Sequence, residues 1–173
     1  MFIYVVKFSK YSAGMAPQEI MGNLSQLFHA FDDAAANYPS IIKIKLIGDV
    51  YMCAAGLFSP ADTPDIVHTE ELLRFGLDCL LAVEELNIRL SSSLQVRIGM
   101  NTGGPILAGI LGTDKPVFDI IGDTINVVAR LQSTDVASKI QISQASYDII
   151  KDLDFDIEPR GEVFLKGKGK QNA

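Results

Sequence analysis

Five polar residues stand at positions that a fold alone does not require. Asp49 follows Gly48 at the end of IIKIKLIGD, Lys45 lies four residues before it, and Asp119 interrupts the apolar run VFDII. Asn126 and Arg130 are four apart, which puts them on one face of a helix. Aspartate is common turn chemistry, yet a carboxylate at a hairpin tip can also meet a hard cation such as Mg²⁺. Lys45, with Lys43 beside it, belongs either to a solvated strand face or to a cleft in which an ammonium donates to a ring nitrogen or oxygen. Asp119 is either an edge-strand charge or an acceptor for an exocyclic amine. Asn126 and Arg130 either meet solvent and a neighbouring carboxylate, or aim at a ribose and a phosphate. For the latter, the planar five-donor guanidinium suits phosphoryl charge. The segment KGKGK, residues 166–170, is a basic loop and a modest phosphate signal; neither GxGxxG nor GxxxxGK[ST] occurs.

The elements that would position these groups follow from periodicity. Phe2 to Lys7 is β-branched and aromatic and reads as a strand. Pro17 suits the first residue of a helix whose Ile20, Met21, Leu24, Leu27, Phe28 and Phe31 recur at helical spacing to about Ala36. In IIKIKLIGDVYMCAAGLF, Ile42, Ile44 and Leu46 alternate with two lysines, Gly48-Asp49 forms a two-residue hairpin turn, and Val50 to Phe58 returns as a strand. Thr69 is a candidate cap for a second helix burying Leu72, Leu73, Cys79, Leu80, Val83 and Leu86. LQVRIGMN is a further strand. The order β-α-β-β-α-β is the split βαβ of a ferredoxin-like core, so the fold class is α+β. The rest reads as an extra C-terminal β/α subdomain: a strand, an Asp114-Lys115-Pro116 turn, a strand, a helix from about Asp123, the strand KIQIS, a short helix, and a final pair of strands. The chain reads as one domain, residues 1–173, and as a fragment of a longer protein.

Bulk properties narrow the partners. Among 173 residues, fifteen basic against twenty-one acidic side chains give −6, which argues against nonspecific nucleic-acid binding. Any membrane attachment is expected through segments outside this chain, since no apolar run reaches about 18 residues. A secretory leader is not recognisable. Cys53 and Cys79 in apolar surroundings suggest reduced core thiols, and a cytoplasmic location follows, alone or as the cytoplasmic part of a membrane protein. His29 and His68 have no ligand spacing around them.

The segments IKIKLIGDVYMCAAGL, VRIGMNTGGPILAGILG, VFDIIGDTINVVARLQST and RGEVFLKGKGK, in this order, resemble the catalytic domain of class III nucleotide cyclases, and the match spans the chain. The resemblance implies two such domains docked head to tail, as a homodimer or a heterodimer with another cyclase domain, with active sites between them. There a nucleoside triphosphate loses pyrophosphate as its ribose 3′-oxygen attacks the α-phosphorus, assisted by two divalent cations, Mg²⁺ or Mn²⁺. By motif, Asp49 matches a metal aspartate. Lys45 and Asp119 match the base readers, and their identity implies adenine, hence ATP and cyclic AMP. Lys donates to N1 and Asp accepts from the N6 amine, whereas guanine presents the opposite pattern. Asn126 matches the ribose-orienting residue and Arg130 the residue that stabilises the transition state. Lys166 and Arg97 match groups that meet the triphosphate, and the turn Lys7-Phe8-Ser9 lies where the family offers backbone N–H groups to phosphate.

One position departs from the pattern. Aligned on Phe8-Ser9, the other metal aspartate of the family falls on Tyr4. A phenol with an ordinary pKa near 10 is a poor Mg²⁺ ligand at neutral pH. The chain's own activity is therefore in doubt. Two readings follow: a domain that supplies the base-reading half of an ATP site to a partner, or a non-catalytic nucleotide-binding domain that acts through dimerisation. The second glycine in NTGGP, where the family usually has one, is a smaller departure.

Overall fold

The computed structural model describes residues 1–134, 136–165 and 169–172. The core sheet holds β1 (Phe2–Val5), β2 (Ile41–Ile47), β3 (Val50–Ala55), β4 (Val96–Met100) and β7 (Ile140–Ile142), in the order β2-β3-β1-β4-β7. The first four strands pair antiparallel, and β7 joins β4 in parallel. This is the expected ferredoxin-like core with one strand added.

Register decides which side chains share a face, because residues directly opposite one another point the same way. Ile3, Val5, Tyr51, Cys53, Val96 and Ile98 face the helices α2 (Pro17–Ala35) and α3 (Asp65–Leu90), and form the main core with Leu27, Phe31, Phe75 and Cys79. Its centre is Tyr51, fully buried, edge-on to Phe31 and with its hydroxyl donating to Asp32. Burial and that hydrogen bond push the phenol well above the ordinary tyrosine range. Cys53 and Cys79 are free and buried there. The opposite face carries Phe2, Met52 and Ala54, covered by Ile120 and Val128. Val128 comes from α4 (Asp123–Thr134), and Ile120 from the two-stranded ribbon of β5 (Leu107–Leu111) and β6 (Val117–Ile121).

Several local readings need correction. β1 ends at Val5, because Lys7 turns into the left-handed region (φ 52°) and starts a one-turn helix, α1 (Phe8–Tyr11). β3 ends at Ala55, where Gly56 adopts φ 81°. Thr69 does not cap its helix. α3 begins one turn earlier after Pro64, and the Thr69 hydroxyl donates to the Asp65 carbonyl from inside the first turns. In contrast, Pro17 does open α2, and Ser143 caps α5 (Gln144–Ile150) by accepting from the Ser146 amide. The final strands β8 (Glu162–Leu165) and β9 (Gly169–Asn172) pair antiparallel.

Candidate active site

The lysines of β2 are the first surprise. Simple alternation puts Lys43 and Lys45 on one face, but a bulge lies between them. Lys43 is opposite Cys53, and Lys45 is opposite Met52. The extra residue reverses the pleat. Lys43 therefore turns to the helical face, where it pairs with Asp32 and lies 5.8 Å from the centroid of the Tyr51 ring. Lys45 turns to the other face, where its ammonium is 2.6 Å from the Asp119 carboxylate.

That pair joins two separate sheets, since Lys45 is on an edge strand of the core and Asp119 is on the β6 ribbon. Both side chains are about a quarter exposed, at 31% and 21%. The second oxygen of Asp119 accepts from the Ile120 amide, 2.8 Å away. The hydrogen bond from Lys45, then that from Ile120, hold the Asp119 carboxyl below the ordinary carboxylate range. The result is a fixed donor beside a fixed acceptor at the open side of the sheet. A flat heterocycle with an acceptor nitrogen next to an amine would match both.

α4 follows directly after β6 through Gly122. A Cβ at Gly122 would lie 2.8 Å from the Pro105 carbonyl oxygen, so the close passage of these backbones requires glycine. Val128 and Leu131 bury one side of α4, and Asn126 and Arg130 project from the other. Asp119, Asn126 and Arg130 are thus carried on one continuous β-turn-α unit.

A second group lies at the hairpin end of the same sheet face. The row Ile47, Val50, Tyr4, Arg97 runs across β2, β3, β1 and β4. Its neighbour two residues along, about 7 Å away, is the row Lys45, Met52, Phe2, Gly99. Gly48 has φ 61°, placing glycine first in the two-residue loop, and Asp49 follows at the tip. The Asp49 carbonyl accepts from the Val5 amide at 3.2 Å, which fastens the tip beside Tyr4. Across the row, the Arg97 guanidinium carbon lies 4.5 Å from the Tyr4 ring centroid. In α1, the Lys7 carbonyl accepts from Lys10 and Tyr11, so the amides of Phe8 and Ser9 open a first turn just beyond this row. Lys166 lies outside the described residues.

Sequence reasoning overlooked the environment of His68. Its ring packs under Gly56, where an added Cβ would fall 2.7 Å from it, and its buried Nδ1 has no hydrogen-bond partner. It borders a cavity of about 460 Å³ with Phe2, Met52, Leu72, Ile120 and Ile125, and none of the predicted site residues lines that cavity. The only sequence signal was a glycine at the end of a strand.

The family profile described as "Adenylate and Guanylate cyclase catalytic domain" matches residues 1–173. The chain belongs to this family. Among its relatives, a Mycobacterium tuberculosis adenylate cyclase is 34% identical over 98% of this chain, and the rat guanylate cyclase soluble subunit beta-2 is 32% identical over all of it. This cyclase domain spans 37% and 25% of those proteins respectively. Among solved structures, the guanylate cyclase domain of RhGC from Catenaria anguillulae, in complex with GTP, superposes with a TM-score of 0.87. It is 31% identical, and the match covers 99% of this chain and 90% of that one. Nucleotide cyclase chemistry is thus the family's. The relatives include both base specificities. No helix among the described residues is long and apolar enough to cross a membrane.

The family's divalent cations can be tested against the donors present. Oxygen ligands are required, and Mg²⁺ sites in particular use one or two carboxylates together with substrate phosphates. At the hairpin end the sheet offers Asp49, a phenol, and a guanidinium stacked on that phenol. Among the described residues, no group of three or more His, Cys, Asp or Glu side chains could hold an ion. This donor set does not fit a pair of divalent cations.

Proposed function

We propose that this cyclase domain supplies the base- and ribose-reading half of an ATP site, which a second cyclase domain completes to form cyclic AMP and pyrophosphate. The observation that carries the reading is the Lys45–Asp119 pair. Adenine entering between the two would accept at N1 from the ammonium and donate its N6 amine to the carboxylate. The depressed Asp119 carboxyl keeps its charge for that role. Guanine would set its N1–H against the ammonium and its O6 against the carboxylate, leaving both partly buried groups mismatched.

In the reaction the ribose 3′-oxygen forms a bond to the α-phosphorus, the bond to the pyrophosphate oxygen breaks, and the hydroxyl proton leaves to solvent. No protein nucleophile is involved, so positioning and charge stabilisation do the catalysis. Asn126 orients the ribose, and Arg130 offers in-plane donors to the charge that builds on the phosphoryl oxygens. Lys166, by motif, meets the triphosphate from this same half, whereas Arg97 and the Lys7-Phe8-Ser9 turn lie with Asp49 at the metal-binding end, whose role the partner domain plays in the completed site. The complementary domain brings both metal carboxylates, including the one whose position Tyr4 occupies here.

Dimerisation has its own support. The β5–β6 ribbon exposes Leu107 (71%), Ile110 (72%), Leu111, Val117 and Ile121 along both strands. A two-stranded ribbon is marginal in water on its own, and an apolar one calls for a cover. A homodimer or a heterodimer with another cyclase domain would provide it.

The test is complementation. The double variant Tyr4→Asp/Arg130→Ala carries both carboxylates but no transition-state arginine, and the parent carries the reverse. Each alone should be silent with Mn²⁺. Their mixture should make cyclic AMP from ATP, and little cyclic GMP from GTP. A mixture no more active than its components sinks the catalytic reading. The second reading, a nucleotide-binding domain that regulates through dimerisation, is favoured by the Tyr4–Arg97 stack. Binding of an ATP analogue without turnover in any mixture would establish it.

A further inference from the structure

The groups assigned to the ribose and the reacting phosphoryl group ride on α4, whose Val128 and Leu131 are buried against the rest of the fold. Apolar burial is non-directional, so by itself it sets the axial position of a helix poorly. Polar contacts at the first turn define it better. The segment 101–106, between β4 and β5, meets that turn at three points. The Asn101 side-chain amide donates to the Thr124 carbonyl at 3.2 Å. A Cβ on Gly103 would fall 3.3 Å from the Thr124 hydroxyl oxygen, and one on Gly122 would fall 2.8 Å from the Pro105 carbonyl oxygen. Thr124 stands two residues before Asn126, whose own amide bonds back to the Gly122 carbonyl.

The segment is itself anchored from behind by hydroxyls. The Thr102 hydroxyl oxygen lies 3.2 Å from that of Thr69 on α3 and 3.0 Å from that of Ser146 on α5. A hydroxyl has one proton to give, and this settles the direction of each bond. Thr69 gives its proton to the Asp65 carbonyl, so Thr102 donates to Thr69. Ser146 then donates to Thr102, and Ser143 donates to Ser146. Every hydroxyl in this relay has a use for its proton, and Thr69, Ser143 and Ser146 are buried. Removing the Thr102 hydroxyl would leave the buried Ser146 proton without an acceptor.

We propose that Asn101 and Thr102 are positioning residues: Asn101 pins the first turn of α4, Thr102 pins the Asn101 segment to α3 and α5, and together they set where Asn126 and Arg130 meet the substrate. The inference rests on the reading of this domain as the half that reads base and ribose. Lys45 and Asp119 are held by their own bond, so loss of the pin keeps the base contact and misplaces the reacting groups. A displacement of about 1 Å at a reacting centre can cost about 10²-fold in rate.

The experiment adds Asn101→Leu to one domain or the other of the complementing mixture. Cyclic AMP formation from ATP is followed with Mn²⁺ and with the unaltered domain in excess. In the parent, whose Asn126 and Arg130 serve the competent site, Asn101→Leu should lower kcat by about 10- to 100-fold and move KM for ATP by no more than about threefold. In the Tyr4→Asp/Arg130→Ala domain α4 faces the dead site, and the same change should leave the rate within about twofold of the control mixture. A general folding role would act from both domains alike. Should Asn101→Leu fail to fold, Thr102→Val carries the test, since it keeps the shape and removes only the hydroxyl. It should show the same one-sided loss, of about fivefold or more, and Thr102→Ser should behave as the parent.

A rate unchanged by the substitution in the parent, or lowered equally from either domain, would overturn the inference and leave the proposed function standing. A loss confined to KM would do the same. A control mixture that makes no cyclic AMP would sink both.

Discussion

Lys43 and Lys45, two residues apart on one strand, point to opposite faces of the sheet because a bulge lies between them. One lysine consequently lies at the rim of the helical face, paired with Asp32, and the other belongs to the candidate site. Their substitutions should separate cleanly.

Lys43→Ala should cost at most about 1 kcal/mol, since its pair with Asp32 is more than a third exposed, and should leave nucleotide affinity unchanged. Asp32→Ala should cost more, about 1–3 kcal/mol, because it also strips the buried Tyr51 hydroxyl of its acceptor. Denaturant melts of the two variants beside the parent check both values.

The base-reading pair predicts a specificity change. Lys45→Glu combined with Asp119→Asn presents an acceptor for guanine N1–H and a donor for O6. The ATP-over-GTP preference should fall by about 10- to 100-fold, corresponding to roughly 1–3 kcal/mol for one well-placed hydrogen-bond pair. Competition binding reads it directly. An unchanged preference would remove Lys45 and Asp119 from base recognition.

Acid titration gives a third expectation. The folded-state carboxyl of Asp119 is held below its ordinary value of 3.8, first by Lys45 and then by the Ile120 amide. The unfolded chain therefore binds the proton more readily, and stability rises with pH through this window. The contribution of this pair should be fully present above pH 3.8 and be lost as pH falls through the folded-state value. In Lys45→Met the carboxyl should titrate closer to 3.8. Carbon-detected NMR of Asp119 in both proteins tests the sign.

The exposed ribbon predicts assembly behaviour. Leu107→Glu with Ile110→Lys should leave the thermal unfolding of the monomer, followed at concentrations too low for the dimer, little changed, because neither side chain is buried in the single chain. The same double change should abolish dimer formation in sedimentation experiments and the complementation signal with it. A dimer that survives would place the interface elsewhere.

Much of this was legible in the sequence, for physical reasons that differ by element. The helical stripe of Leu27, Phe28 and Phe31 and the β-branched run of β1 are local patterns, and burial follows them. Gly48-Asp49 announced its hairpin because positive φ favours glycine. The start of α3 was misjudged because Pro64 acts one turn upstream of the better-looking Thr69. The bulge in β2 was invisible, since strict alternation of Ile and Lys gives no hint of an extra residue. Tyr4 was recognisable as a misplaced residue, but its stack with Arg97 joins strands 93 positions apart in the sequence and only the sheet register reveals it.

The apolar ribbon also bears on how the stability of this chain should be reported. If β5 and β6 find their cover only on a second molecule, part of the folding free energy is supplied by mass action, and the melting temperature rises with protein concentration. A midpoint measured on a dilute sample would then describe a half-dressed molecule. In a cell, the abundance of this domain would follow the supply of whatever domain it pairs with, because unpartnered copies present the sort of surface that chaperones and proteases act on.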